Sequence, residues 1–389
     1  MATRRARVLW TVLIASAMTF AASQAWAVVI DMTVKDTAGA VPDMEITFTP
    51  EDPSLPPTTG RTDTQGKVVD KDGKAIALPP GKYGVLAKGH NHVTYKDTVT
   101  VGPGDTTIAI TVDPIVAWMV QSPPCSLCFG LGAGYYGQWA DDVKLQPGEI
   151  TITNVPGQDP IIERDGSVVN RFNWNLNAGF ADIPIGISTI HAGNWRFYPS
   201  LHVKGGGGGA TNDSVSRSTG VTTISHHGSG GIAGAGAGVI ATCPNCSWYV
   251  GFGYDYWTLF DAELEGDLRV ALNPSVTNFS SRAWVDSHSH SISGRFGLNL
   301  LNNRISPNVG IRGTWQHIDF KQHTQFDVAG LGRVTTDTTA EFSRYTVEGI
   351  AGVDAHFWGP WFGRFQTTFN GSDVSVLFKI IYGLSWVDP

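Results

Sequence analysis

The chain has 389 residues, a formal net charge of −7 and only 16% charged residues. Its mean hydropathy of −0.05 is too apolar for a disordered polymer, and an acidic balance without basic clusters argues against nucleic acid as a partner. Beyond the N-terminus no stretch approaches the ~18 consecutive apolar residues of a membrane helix, so helical spans are not expected.

In chain order, the first feature is Arg4, Arg5 and Arg7 ahead of an apolar run over residues 8–22, followed by Ala25-Trp26-Ala27. A basic start, an apolar core and an A-x-A site predict a signal peptide over residues 1–27. Its removal would leave 362 residues and, with three arginines gone, a formal charge of −10. The mature chain is therefore expected to be exported and released from the inner membrane.

Residues 28–113 hold short β-branched stretches at 30–34, 45–48, 83–87, 93–95 and 107–112, separated by Gly/Pro/Asp turns. That spacing predicts a small β-sandwich. The order of features resembles the carboxypeptidase regulatory-like (transthyretin-like) domain family. Matching pieces are Ala38-Gly39-Ala40-Val41-Pro42-Asp43, Thr62-Asp63-Thr64-Gln65-Gly66-Lys67 and Leu78-Pro79-Pro80-Gly81-Lys82-Tyr83-Gly84-Val85. The resemblance implies an accessory or binding module without a common chemistry. Pro114, Pro123 and Pro124 mark residues 114–127 as a linker.

Residues 128–389 alternate apolar and polar in stretches of about ten residues, the length a tilted strand needs to cross a bilayer. Ten strands are predicted, at 129–139, 169–181, 195–204, 232–242, 247–259, 284–300, 307–319, 342–356, 361–369 and 374–386. The last is clearest: Val374, Val376, Phe378, Ile380, Tyr382, Leu384 and Trp386 alternate with a mixed face that carries Lys379. An apolar outside and mixed inside suit a closed barrel, because only closure pairs every backbone group in hydrocarbon. Eight strands is the alternative, since the third and fourth stretches are poorly patterned, the fourth being only Gly and Ala over 234–238. Connections at 140–168, 205–231, 260–283 and 320–341 are long and polar and are expected outside. Those at 182–194, 243–246, 301–306 and 357–360 are shorter and are expected in the periplasm, the exception being 370–373, which is short although this topology puts it outside. Trp195, Trp248, Trp361 and Trp386 are expected in one aromatic girdle, and Trp139, Trp174, Tyr256 and Trp315 in the other. The tail Phe378, Ile380, Tyr382, Leu384, Trp386 resembles the C-terminal signal read by the outer-membrane assembly machinery, although Val387-Asp388-Pro389 follow it.

Two C-x-x-C pairs, Cys125/Cys128 and Cys243/Cys246, fall on one rim of this topology. An oxidising compartment favours disulfides over a four-sulfur metal site, closed within each pair or between pairs. Neither pair is followed by His, which removes covalent haem attachment. The run Asp286-Ser287-His288-Ser289-His290-Ser291 and the pair His90/His92 invite a catalytic or metal reading. The first lacks hydrolase spacing and is expected as a water-facing strand end; the second lacks a third ligand. No catalytic residue, metal or cofactor is assigned. Inward charges are expected at Arg171, Arg196, Lys204, Asp255, Arg295, Arg312, Arg344, Glu348, Asp354, Arg364 and Lys379. In a narrow barrel these would pair and fill the lumen, an anion-preferring passage being the alternative.

The expectation is an all-β chain: a small periplasmic sandwich followed by an antiparallel transmembrane β-barrel in a bacterial outer membrane. The implied role is a non-enzymatic envelope scaffold, adhesin or narrow channel. Its rivals are an outer-membrane hydrolase and a secreted sugar- or peptide-binding β-protein. Expected partners are outer-membrane lipid, the assembly machinery, and a periplasmic or cell-surface protein.

Overall fold

The computed structural model describes residues 27–36, 39–89, 92–104, 106–123, 127–143, 150–164, 171–215, 222–243, 246–268 and 276–384. Two compact units divide at Pro114 and Ile115.

In the first unit Val28–Asp36 pairs with Gly39–Ala40, with Ala77–Leu78 and, in parallel, with Thr106–Thr111. A second sheet runs Val68–Val69, Thr58–Thr62, Glu45–Pro50, Gly81–Gly89, His92–Val101 in spatial order. The alternation of each strand turns one apolar face inward, and Ile30, Met32, Val34, Ile46, Phe48, Val85 and Ile110 form a common core. The turn at Gly66 needs glycine twice over. Its φ is +73°, and a Cβ there would lie 2.4 Å from the Val34 carbonyl oxygen. Asp63 fixes the same turn by accepting backbone N–H bonds from Gln65 and Lys67. The strands at 58–62 and 77–78 were not among those expected, being too short or too Thr/Gly-rich to show a pattern.

The second unit holds β1 (Cys128–Val143), β2 (Arg171–Gly186), β3 (Trp195–Val215), β4 (Thr222–Thr242), β5 (Trp248–Leu268), β6 (Val276–Leu298), β7 (Ile305–Val328), β8 (Gly332–Trp358), β9 (Trp361–Phe369) and β10 (Asp373–Gly383). Each is antiparallel to the next, and β10 returns to pair with β1 over Gly130–Ala140, so the sheet closes on itself. A hairpin of Ile150–Asn154 and Ile161–Arg164 adds to β8 at 335–339.

The strands are longer than expected. Much of the segments expected as long polar loops at 205–231, 260–283 and 320–341 is strand, and β8 alone has 27 residues. At about 3.3 Å per residue that is roughly 90 Å, far beyond the ~10 residues of one crossing. Two features hid this. Segment 205–209 is all glycine, which reads as a loop; yet a Cβ at Gly206 or Gly208 would lie 2.0 or 2.1 Å from a β2 carbonyl oxygen, so the close strand approach requires glycine. On β5, Asp261 adopts φ +52° at a register shift, a bulge that breaks the simple alternation.

Polarity divides the ring along its axis. Toward the end that carries Cys128 and Gly383, outward residues are apolar: Ile292, Val309, Ile311, Tyr345 and Val347 are 60–81% exposed. Toward the other end the outward residues of β7 become Asp319, Lys321 and His323, whereas Phe320 faces in and is buried. On β2, Trp174, Leu176, Ala178 and Phe180 pack inside the ring, so the girdle position expected for Trp174 is corrected. Trp386 lies outside the described residues.

Candidate functional site

Three layers fill the ring. Farthest from Cys128, Leu176, Phe180, Ile232, Leu259, Leu264, Val285 and Phe320 form an apolar layer. At the opposite mouth sits residues 115–122, part of the stretch expected as a linker. Ala117–Val120 is a buried 3-10 turn, and its backbone is held by an Ala117 N–H donating to the Asn303 carbonyl. Trp118 packs edge-on against Tyr198 and lies 5.9 Å from Tyr249. Gln121 Nε2 donates to Asp354 at 2.5 Å, and Ser122 meets Ser200 at 3.1 Å.

Between these layers lies a charged chamber. Alternation on each strand turns every second residue inward, which brings together side chains far apart in sequence. Asp354 and Arg364 form two hydrogen bonds at 2.7 and 3.2 Å. Arg312 Nε donates to Glu348 at 2.6 Å, Arg344 pairs with Asp373 at 2.9 Å and Lys379 with Asp182 at 2.8 Å. Asp255 accepts from Lys204 at 2.9 Å and meets His202 Nε2 at 2.7 Å. The Lys204 ammonium also lies 4.1 Å from the Trp257 ring centroid.

Of the sequence-selected lumen charges, this chamber holds Lys204, Asp255, Arg295, Arg312, Arg344, Glu348, Asp354, Arg364 and Lys379. Arg196 lies near the 115–122 mouth, and the Arg171 side chain lies outside the described residues. Sequence reasoning missed Asp182, His202 and Asp373. Asp182 and Asp373 stood in segments taken as connections, whereas His202 shares the inward face of Arg196 and Lys204, and their period would have found it. The inward period of β10 continued back from Ser375 would have found Asp373, whereas Asp182 lies on the face of Trp174 and Phe180, which the sequence assigns to lipid.

The other candidates separate from the chamber. Ser287, Ser289 and Ser291 line it, whereas His288 and His290 point out of the ring. There His288 packs edge-on against Trp315 and tilted against His317, and Tyr254 lies 2.7 Å from His290 Nδ1. The run therefore gathers no Ser–His pair on one face. These histidines sit against aromatic rings rather than in a bare strand end facing water. His92 pairs with Asp36 at 3.0 Å, and His90 lies outside the described residues. Among the described residues no His/Cys/Asp/Glu group is arranged to hold a metal. Cys243 and Cys246 form a disulfide across their own turn, and Cys128 is disulfide-bonded. Cys125 lies outside the described residues.

No family model matches this chain, and no curated protein is similar to it. Solved structures overlap it weakly. The translocator domain of autotransporter NalP from Neisseria meningitidis is 10% identical, with 66% of this chain and 89% of that chain covered and a TM-score of 0.30. The outer membrane protein OprG from Pseudomonas aeruginosa is 10% identical, covering 67% and 98%, with a TM-score of 0.23. The attachment invasion locus protein Ail of Yersinia pestis is 6% identical, covering 67% and 98%, with a TM-score of 0.22.

Proposed function

We propose that the chain is a ten-stranded outer-membrane β-barrel with a filled lumen, acting as a non-enzymatic envelope scaffold or adhesin. One observation carries the reading: a closed sheet with an apolar outer band around a polar, ion-paired interior, opposite to the polarity of a water-soluble protein. In water that band would be a large exposed apolar surface; in lipid it is the required one. Above the band, long strands with a polar exterior and apolar core form a rigid stalk, a suitable support for contact with a cell-surface partner.

In this reading residues 1–27 are removed on export. Residues 28–113 are a transthyretin-like sandwich in the periplasm, and the assembly machinery reads the C-terminal strand. The paired charges and the two apolar seals oppose steady conduction. Planar-bilayer recording of the refolded protein is expected to show no steady current. A stable ohmic step in every insertion would replace the scaffold by an open channel. A second reading, a channel closed by a plug, draws on residues 115–122, which occupy one mouth as a single short segment.

A further inference from the structure

The charges of the chamber do not cancel. Five carboxylates, Asp182, Asp255, Glu348, Asp354 and Asp373, each hold a Lys or Arg. Among the described residues Arg295 is the chamber cation without a carboxylate of its own. Asp255 and Asp354 are within its electrostatic reach, but Lys204 with His202 engages the first and Arg364 the second. Arg295 makes no ion pair among the described residues, and its Nη1 is buried without a hydrogen-bond partner. A guanidinium is always charged, and burying one uncompensated is costly, so such a group recruits a counter-charge.

The surroundings leave room for one. Arg295 stands opposite Gly251 on β5 and Gly310 on β7, and Ser293 stands opposite Gly253. A Cβ at Gly251 would meet nothing closer than 3.7 Å, so the β5 side leaves space there, whereas one at Gly310 would lie 2.2 Å from the Gly294 carbonyl oxygen, so the β7 side is close-packed. Ser293 and Ser291 line the same cavity and carry hydroxyl donors that an anion can accept from. We propose that the chamber is an anion-binding site in which Arg295, with Ser293 beside it, holds one small monovalent anion such as chloride.

The inference rests on the chamber described above and deepens the filled-lumen reading. It stands apart from the question of conduction, which bilayer recording decides. The test is equilibrium dialysis of the full-length protein, refolded into detergent micelles, against labelled chloride in a gluconate buffer of fixed ionic strength. Saturable binding of about one chloride per chain is expected. Arg295→Gln should abolish it, and Arg295→Lys should retain binding with weakened affinity. A Lys321→Gln variant, altered on the outer face, should bind as the wild type does. Absence of saturable binding in the wild type, or undiminished binding in Arg295→Gln, overturns the site. Should Arg295→Gln fail to fold, the wild-type unfolding midpoint decides instead. It should rise with chloride at constant ionic strength, since a ligand held only by the folded state stabilises it, and a flat response overturns the proposal.

Discussion

Asp354 is fully buried and accepts hydrogen bonds from Arg364 and Gln121, so its charge ties β8 to β9 and to the segment in the mouth. Asp354→Asn would leave the Arg364 guanidinium buried without its counter-charge. A loss of about 3–5 kcal/mol is expected, read from urea unfolding in lipid or detergent. The outer face tests a different force. Ile311→Arg places a charge on the apolar band and should cost about 2–4 kcal/mol if that band sits in hydrocarbon; a neutral outcome would deny the band its lipid. In the first unit, partial burial and the neighbouring Asp97 carboxylate push the Tyr95 phenol up to about 12. The fold favours the protonated phenol, so this contribution is complete below an ordinary phenol's pKa near 10 and fades as pH rises through about 12. A spectrophotometric titration of wild type against Tyr95→Phe should show one phenol ionising late.

At the scale of elements, the 115–122 segment is the component most open to test. Trp118 is almost wholly buried against Tyr198 and Tyr249. Truncation to Ala should cost about 3–5 kcal/mol by lost burial and the cavity left behind. The same variant separates the two functional readings: a silent bilayer favours the scaffold, whereas new current favours a plugged channel. The Cys243–Cys246 link closes only a short loop, so its removal should cost about 2 kcal/mol or less on the loop-entropy model.

For the whole molecule, the closed ring implies resistance to detergent until heated, and therefore heat-modifiable migration on a gel together with the outer-membrane fraction. Recovery as a soluble periplasmic protein would reject the lipid-facing band. Sidedness is set by the turns. Gly330 lies in the turn between β7 and β8, and Gly359 lies at the opposite end between β8 and β9. A tag inserted at Gly330 should be reachable on intact cells, and one at Gly359 or at Gly73 should not. The reverse pattern would invert the topology.

The short-range pattern was legible in the residues themselves. Period-two alternation over 374–384, the charges at Arg312, Glu348 and Lys379, and the turn-forming Asp63 and Gly66 depend on near neighbours, so they show in a linear reading. The upward extension of the strands did not show, because glycines at 205–209 and the bulge at Asp261 interrupt the period where cross-strand pairing alone holds the strand. The inward turn of Trp174 was also hidden: which of a strand's two faces turns inward is set by its pairing in the closed ring, and an apolar face fits either the lipid or the interior. Pairing between Asp182 and Lys379, 197 positions apart, exists only once the ring closes. Closure is a property of the whole sheet, and it alone decides which charges meet.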